Sequence, residues 1–172
     1  LKDAVSKLSG LAIVEVAEMD MQMELFAAPN DPMLDKQWNL TDIGMERVWA
    51  TGATGQGVIV AVIDTGVSRV EDLENTHMLK GASFVPGAAT AEDDQGHGTH
   101  VAGTIAQSTN NGKGVAGIAP GATILPVKVL SGAGFGSSAW IAAGIDYAVD
   151  EGAQVINLSL GGGYSSIIHN AI

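Results

Sequence analysis

The stretch DDQGHGTHVAG, residues 93–103, sets two histidines three apart and brackets the first with Gly96 and Gly98. Imidazole is the usual general base near neutral pH, and glycine neighbours let a substrate backbone come close to it. His97 therefore reads either as a general base or as a helix-start histidine bonded to backbone. His100 follows one helical turn on. An HxxH pair raises the question of a metal, but it lacks the acidic residue of the zinc-hydrolase helix. His100 reads instead as buried and backbone-bonded. His77 and His169 have polar, unpatterned neighbours and read as surface residues. Asp64 closes the apolar run AVIDTG. It is either a carboxylate accepting turn hydrogen bonds or an acid that orients an imidazole at a strand tip.

Three further stretches have the composition of binding loops. STNNGKGVAG (108–117) is rich in amides and glycine. It is a plain turn, or its oxygens wrap a hard cation with carboxylates from Asp31 and Asp72. SGAGFGSS (131–138) and LSLGGG (158–163) are glycine-rich edges that follow strands. They are tight turns, or edges that pair with an extended peptide. GATGQG (52–57) resembles a phosphate loop only in composition, because its glycines precede a strand instead of following one.

These residues must be held by regular elements. VIVAVID (58–64) is a β-branched run that reads as a strand buried on both faces. Residues 97–108 suit a helix of small side chains. ATILPVKVL (122–130) is a second strand. Residues 137–152 carry Trp140, Ile141, Ile145, Ala148 and Val149 at helical spacing, closed by Gly152. AQVINLSLGGG (153–163) is a third strand, and another helix starts near Ser165. Upstream, residues 41–50 read as a helix capped by Thr41. Residues 1–20 read as a short helix that turns at Gly10 into a strand carrying Leu11, Ile13, Val14 and Val16. The alternation of strands and helices predicts an α/β fold with a parallel sheet and helices on both faces. Ligands of such sheets sit beyond the carboxyl ends of the strands, where Asp64 and Gly161 fall.

The chain has 172 residues, 46% of them hydrophobic, enough for one domain with a real core. Its 8 basic against 19 acidic residues leave a net charge of −11. That charge disfavours nucleic acid and acidic membranes and suits a hard cation such as calcium. With no cysteine there is no disulfide, thiolate chemistry or Cys-ligated zinc. No apolar run reaches transmembrane length.

Taken together, AVIDTGV (61–67), GHGTHVAGTIA (96–106), KVLSGAGFG (128–136) and INLSLGG (156–162) resemble the subtilisin-like serine proteases over roughly residues 29–172. The resemblance implies a three-layer fold with a mostly parallel sheet, of which this chain carries the N-terminal half (27–172). It implies Asp64 as orienting acid and His97 as general base of an Asp/His/Ser triad. Gly134, Phe135 and Gly136 would line one side of a peptide cleft, and Ser159, Leu160 and Gly161 the other. It also implies a structural Ca²⁺ held by Asp31, Asp72, Thr109, Asn111, Lys113 and Val115, with Lys113 serving only through its carbonyl. Residues 1–26 resemble the tail of a propeptide, with self-cleavage expected after Phe26, next to Leu25. The implied partners are protein or peptide substrates and the chain's own propeptide, in a secreted monomer. The family's Gly-Thr-Ser-Met-Ala type segment is absent, as is any G-x-S-x-G. The nucleophile is therefore expected beyond Ile172, and the chain alone is expected to be inactive. A peptide-binding fragment without turnover, or a nucleotide-binding domain without a phosphate loop, are the other readings of the same residues.

Overall fold

The computed structural model describes residues 2–17 and 28–172. Helix α1 spans Lys2–Ser9. The strand expected after it does not form within the described residues. Leu11 N bonds to Leu8 O and Val14 N to Leu11 O, both at 3.0 Å, so residues 11–14 coil through successive turns. Ile13 and Val16 are exposed, and no ladder among the described residues accepts this segment. An apolar alternation without a neighbouring strand leaves its backbone groups to local turns. The expected cleavage position at Phe26 lies outside the described residues.

The helix expected over 41–50 is two short helices, α2 (Trp38–Asp42) and α3 (Met45–Trp49), and Thr41 lies inside the first instead of capping it. The break is at Gly44, whose φ of 70° is left-handed and ends a right-handed helix. Leu40, Met45 and Trp49 pack with Ala116 into a small satellite core.

Strands β1 (Ile59–Asp64), β2 (Ala82–Ser83), β3 (Thr123–Lys128) and β4 (Val155–Asn157) form one parallel sheet in the order β2-β3-β1-β4. Two-residue β2 has no hydrophobic run and was not legible in the sequence. Residues alternate across the sheet with period 2. Val60, Val62 and Ile124 face helix α4 (His97–Ala106) through Ala102 and Ala106. Ala61, Ile63, Leu125 and Val127 face helix α5 (Ser138–Asp150) through Ile141, Ile145 and Ala148. Each fully buried Val, Leu or Ile contributes about 1.5–3 kcal/mol. These two cores put one helix on each face, which makes the three layers.

The ends of α5 follow its sequence. The Ser137 side chain accepts from Trp140 N, and Gly152 turns the chain at φ 77°. Helix α6 (Ser166–Ala171) is capped in the same way by Ser165. Strand β4 is shorter than the expected 153–163. Val155, Ile156 and Asn157 pair in register with β1, Gln154 N reaches Ile59 O just before them, and the chain beyond Asn157 leaves the ladder. Pro126 sits in the central strand β3 without breaking its pairing to β1. Backbone N–H groups alternate sides along a strand, and Ile124 N already points away from β1, to His77 O. The proline nitrogen falls on that same side.

Candidate functional site

Strand β1 ends at Asp64, which is fully buried and paired in register with Lys128 of β3. Burying a carboxylate is costly unless it is paired and hydrogen-bonded. Asp64 meets both conditions. Thr65 N donates to Oδ1 at 2.7 Å, and Nδ1 of His97 lies 2.8 Å from Oδ1 and 2.9 Å from Oδ2. A carboxylate only accepts, so Nδ1 carries the proton and Nε2 is left as a free acceptor. The His97 side chain is 48% exposed, so that acceptor is open to an incoming group.

Helix α4 can come this close because Gly98 has no side chain. A Cβ there would stand 2.1 Å from Gly66 O and 3.1 Å from the Asp64 Cβ. Gly98 N instead donates to Thr65 Oγ1 at 2.9 Å.

The turn ahead of α4 is organised by Asp93. Its Oδ1 accepts from Thr65 Oγ1 (2.8 Å), Gln95 N (3.0 Å) and Gly96 N (2.9 Å). Its Oδ2 accepts from Thr99 N (3.0 Å) and Thr99 Oγ1 (2.5 Å). Burial pushes the Asp93 carboxyl up, but the hydrogen bonds from Gly96, Thr99 and Gln95 outweigh it and bring the pKa down to about 2. Behind this turn the buried Lys128 ammonium donates to Thr65 O (2.5 Å), Asp94 Oδ1 (2.6 Å) and Leu130 O (3.0 Å).

A cleft of about 300 Å³ opens in front of His97. Gly134, Phe135 and Gly136 line it, as do Ser159, Leu160 and Gly161, so all six residues expected to flank a peptide face one cavity. Thr65, Gln95, Leu130 and Ile141 complete the wall.

His100 departs from expectation: it is exposed, not buried. It faces away from the cleft, along a groove with Thr99, Gly103 and Thr104. His77 and His169 are exposed, as expected.

The loop 109–115 gathers around two carboxylates. Buried Asp31 accepts from Asn110 N (3.0 Å) and Asn111 N (3.4 Å). Asp72 accepts from Asn111 Nδ2 (2.8 Å), Val115 N (3.2 Å) and the Gln107 amide. Asn111 thus bridges both acids. The Lys113 ammonium is turned away to Glu71 and Glu74, at 3.1 Å each. Among the described residues no three His, Cys, Asp or Glu side chains form a metal-binding group. A cation here would rest largely on carbonyl and amide oxygens.

Residues 55–172 match the profile of the Subtilase family. This chain belongs to that family. The subtilase chain is 48% identical to Subtilisin Savinase of Lederbergia lenta over 124 residues, which are 72% of this chain and 45% of that protein. It is 45% identical to Thermitase of Thermoactinomyces vulgaris over 136 residues, covering 78% of this chain and 48% of that one. A solved protease structure from Pseudoalteromonas arctica superposes with a TM-score of 0.76 at 36% identity, over 84% of this chain and 55% of the other. The chain spans half or less of the length of these curated relatives.

Within this subtilase chain, sequence reasoning singled out Asp64, His97 and the six residues that line the cavity, but not Asp93, Asp94 or Lys128. Asp93 had a local sign, since an Asp three residues before a glycine-led helix is a cap pattern. Lys128 had none, because a lone lysine in an apolar strand does not name its partners.

Proposed function

We propose that this chain supplies the acid and the general base of a secreted serine endopeptidase. The observation that carries this is the pair of contacts between Asp64 and Nδ1 of His97 at the rim of a cleft. In this reading His97 Nε2 takes the proton of a serine hydroxyl while its Oγ attacks the peptide carbonyl carbon. The proton then passes to the leaving amine as the C–N bond breaks, and water releases the acyl group by the same route in reverse. Asp64 holds the ring and stabilises the imidazolium throughout. The serine belongs to sequence beyond these 172 residues, as the greater length of the relatives supports. By itself the chain binds an extended peptide along 134–136 and 159–161 without turning it over.

Residues 1–26 act as the tail of a propeptide, removed after Phe26. Secretion is supported by relatives such as the Extracellular basic protease of Dichelobacter nodosus. No helix among the described residues is long and apolar enough to cross a membrane. A calcium ion fits between Asp31 and Asp72. Both carboxylates accept only from neutral N–H groups, and neither takes part in an ion pair among the described residues. The Asn111 side-chain oxygen and the carbonyls of Thr109, Lys113 and Val115 would complete the oxygen set, and the ion would tie the loop to the N-terminal segment.

A serine-reactive fluorophosphonate tests the main reading. The 172-residue chain stays unlabelled. A protein extended to the length of its relatives labels at one serine, and His97→Ala abolishes that labelling. Stoichiometric labelling of the chain itself overturns the reading.

A further inference from the structure

Lys128 is 1% exposed, yet it lies in no apolar role. An ammonium has three donors, and all three are used: on Thr65 O, Leu130 O and Asp94 Oδ1. These acceptors belong to three separate segments. Thr65 follows the acid, Leu130 begins the cleft edge that runs to Gly136, and Asp94 lies in the turn that delivers His97. Thr65 and Leu130 themselves line the cleft, as does Gln95 beside Asp94. Parallel pairing of Asp64 with Lys128 puts both side chains on the same face of adjacent strands, so the lysine stem runs beside the buried acid. Asp64 O also receives Val129 N (2.9 Å) and Leu130 N (3.1 Å), which binds the same two strands at the same level. A Cβ on Gly132 would stand 3.0 Å from the Asp94 Cγ, so the cleft-edge loop runs close beside the carboxylate.

We propose that Lys128, with Asp94 as its counter-ion, is a positioning residue that fixes the His97 ring on Asp64 and the cleft edge at Leu130 in one step. This rests on the reading of the cleft as a peptide site. The ammonium ties together from behind the same three segments that Asp64 touches in front, through Thr65 N, His97 Nδ1 and Leu130 N. Asp94 is the outer half of the pair, with its side chain 58% exposed, so it can be removed with little loss of packing. Without the pair, the 93–97 turn keeps its Asp93 cap but loses its tie to β3.

The test uses the full chain with Lys128→Met, Asp94→Ala and the double variant. Leu40→Ala, in the satellite core away from the cleft, serves as the control for lost stability. Ring ¹⁵N shifts of His97 report which nitrogen holds the proton, a signature that stability alone does not move. The expected result is a rise of about threefold or more in the Nε2–H form for each single variant. The double variant should add nothing further, because both changes break the same tie. Dissociation constants for an extended peptide should rise in parallel. If the Lys128 and Asp94 variants keep the unaltered tautomer ratio, or shift it no more than Leu40→Ala does, the positioning role is overturned. If instead no peptide binds the unaltered chain, the peptide-site reading fails, while the His97 ring still decides the role of Lys128.

Discussion

Both carboxylate oxygens of Asp64 face the same nitrogen of His97, at 2.8 and 2.9 Å, across 33 residues of chain. The acid is fully buried and the imidazole is half exposed, so one end of the pair is fixed by the fold and the other is offered to a ligand.

Asp64→Asn should reverse the imidazole. An amide can turn its NH₂ toward Nδ1, which then accepts, and the proton moves to Nε2. The ring ¹⁵N shifts of His97 should switch to the Nε2–H pattern with the backbone spectrum little changed. In a protein that also carries the nucleophile, kcat should fall by about 10⁴-fold, the loss seen when a triad acid is made neutral. An unchanged tautomer would remove the orienting role of Asp64.

Asp93 makes stability depend on acid. Its folded pKa of about 2 lies below the ordinary value of 3.8, so the folded form binds its proton less readily than the unfolded chain does. Its contribution is therefore full above pH 3.8 and is lost as pH falls toward about 2. Urea unfolding of the chain and of Asp93→Asn, measured across that range, should converge at the acid end and separate above it. Parallel curves at every pH would contradict the assignment.

Gly98→Ala should be among the most damaging single changes near the site. The new methyl would meet Gly66 O at 2.1 Å, a backbone atom that cannot swing aside. Helix α4 must move, at a cost of about 3 kcal/mol, and His97 moves with it. Denaturant unfolding measures the cost, and a stability within about 0.5 kcal/mol of the unaltered chain would show that the helix has slack.

Calcium should stabilise the chain through the 109–115 loop. At a free concentration 100 times its dissociation constant, a single site adds about 2.7 kcal/mol. Calorimetry with calcium and with a chelator should show a higher Tm in calcium for the unaltered chain. The gain should largely vanish in Asp72→Asn. Equal gains in both proteins would move the ion elsewhere.

What the sequence determined by itself was local and periodic. The β-branched run ending at Asp64, the helical spacing of Trp140, Ile141 and Ile145, and the Gly152 cap all depend on neighbours within a few residues. Their positions follow from backbone geometry alone, and motif resemblance singled out Asp64, His97 and the six residues that line the cavity with them. Tertiary structure decided whatever required a distant partner. The alternation of Leu11, Ile13 and Val16 formed turns, because no strand among the described residues stands beside it. The run to Gly163 left the sheet after Asn157, although β1 continues past its partner Val62 to Asp64. Exposure of His100 depended on which face of α4 the sheet took, and the Lys128–Asp94 pair behind the site depended on where β3 sets the lysine beside β1. Hydrogen bonds and burial are properties of pairs, and the second member of each such pair is chosen by how strands and helices stack.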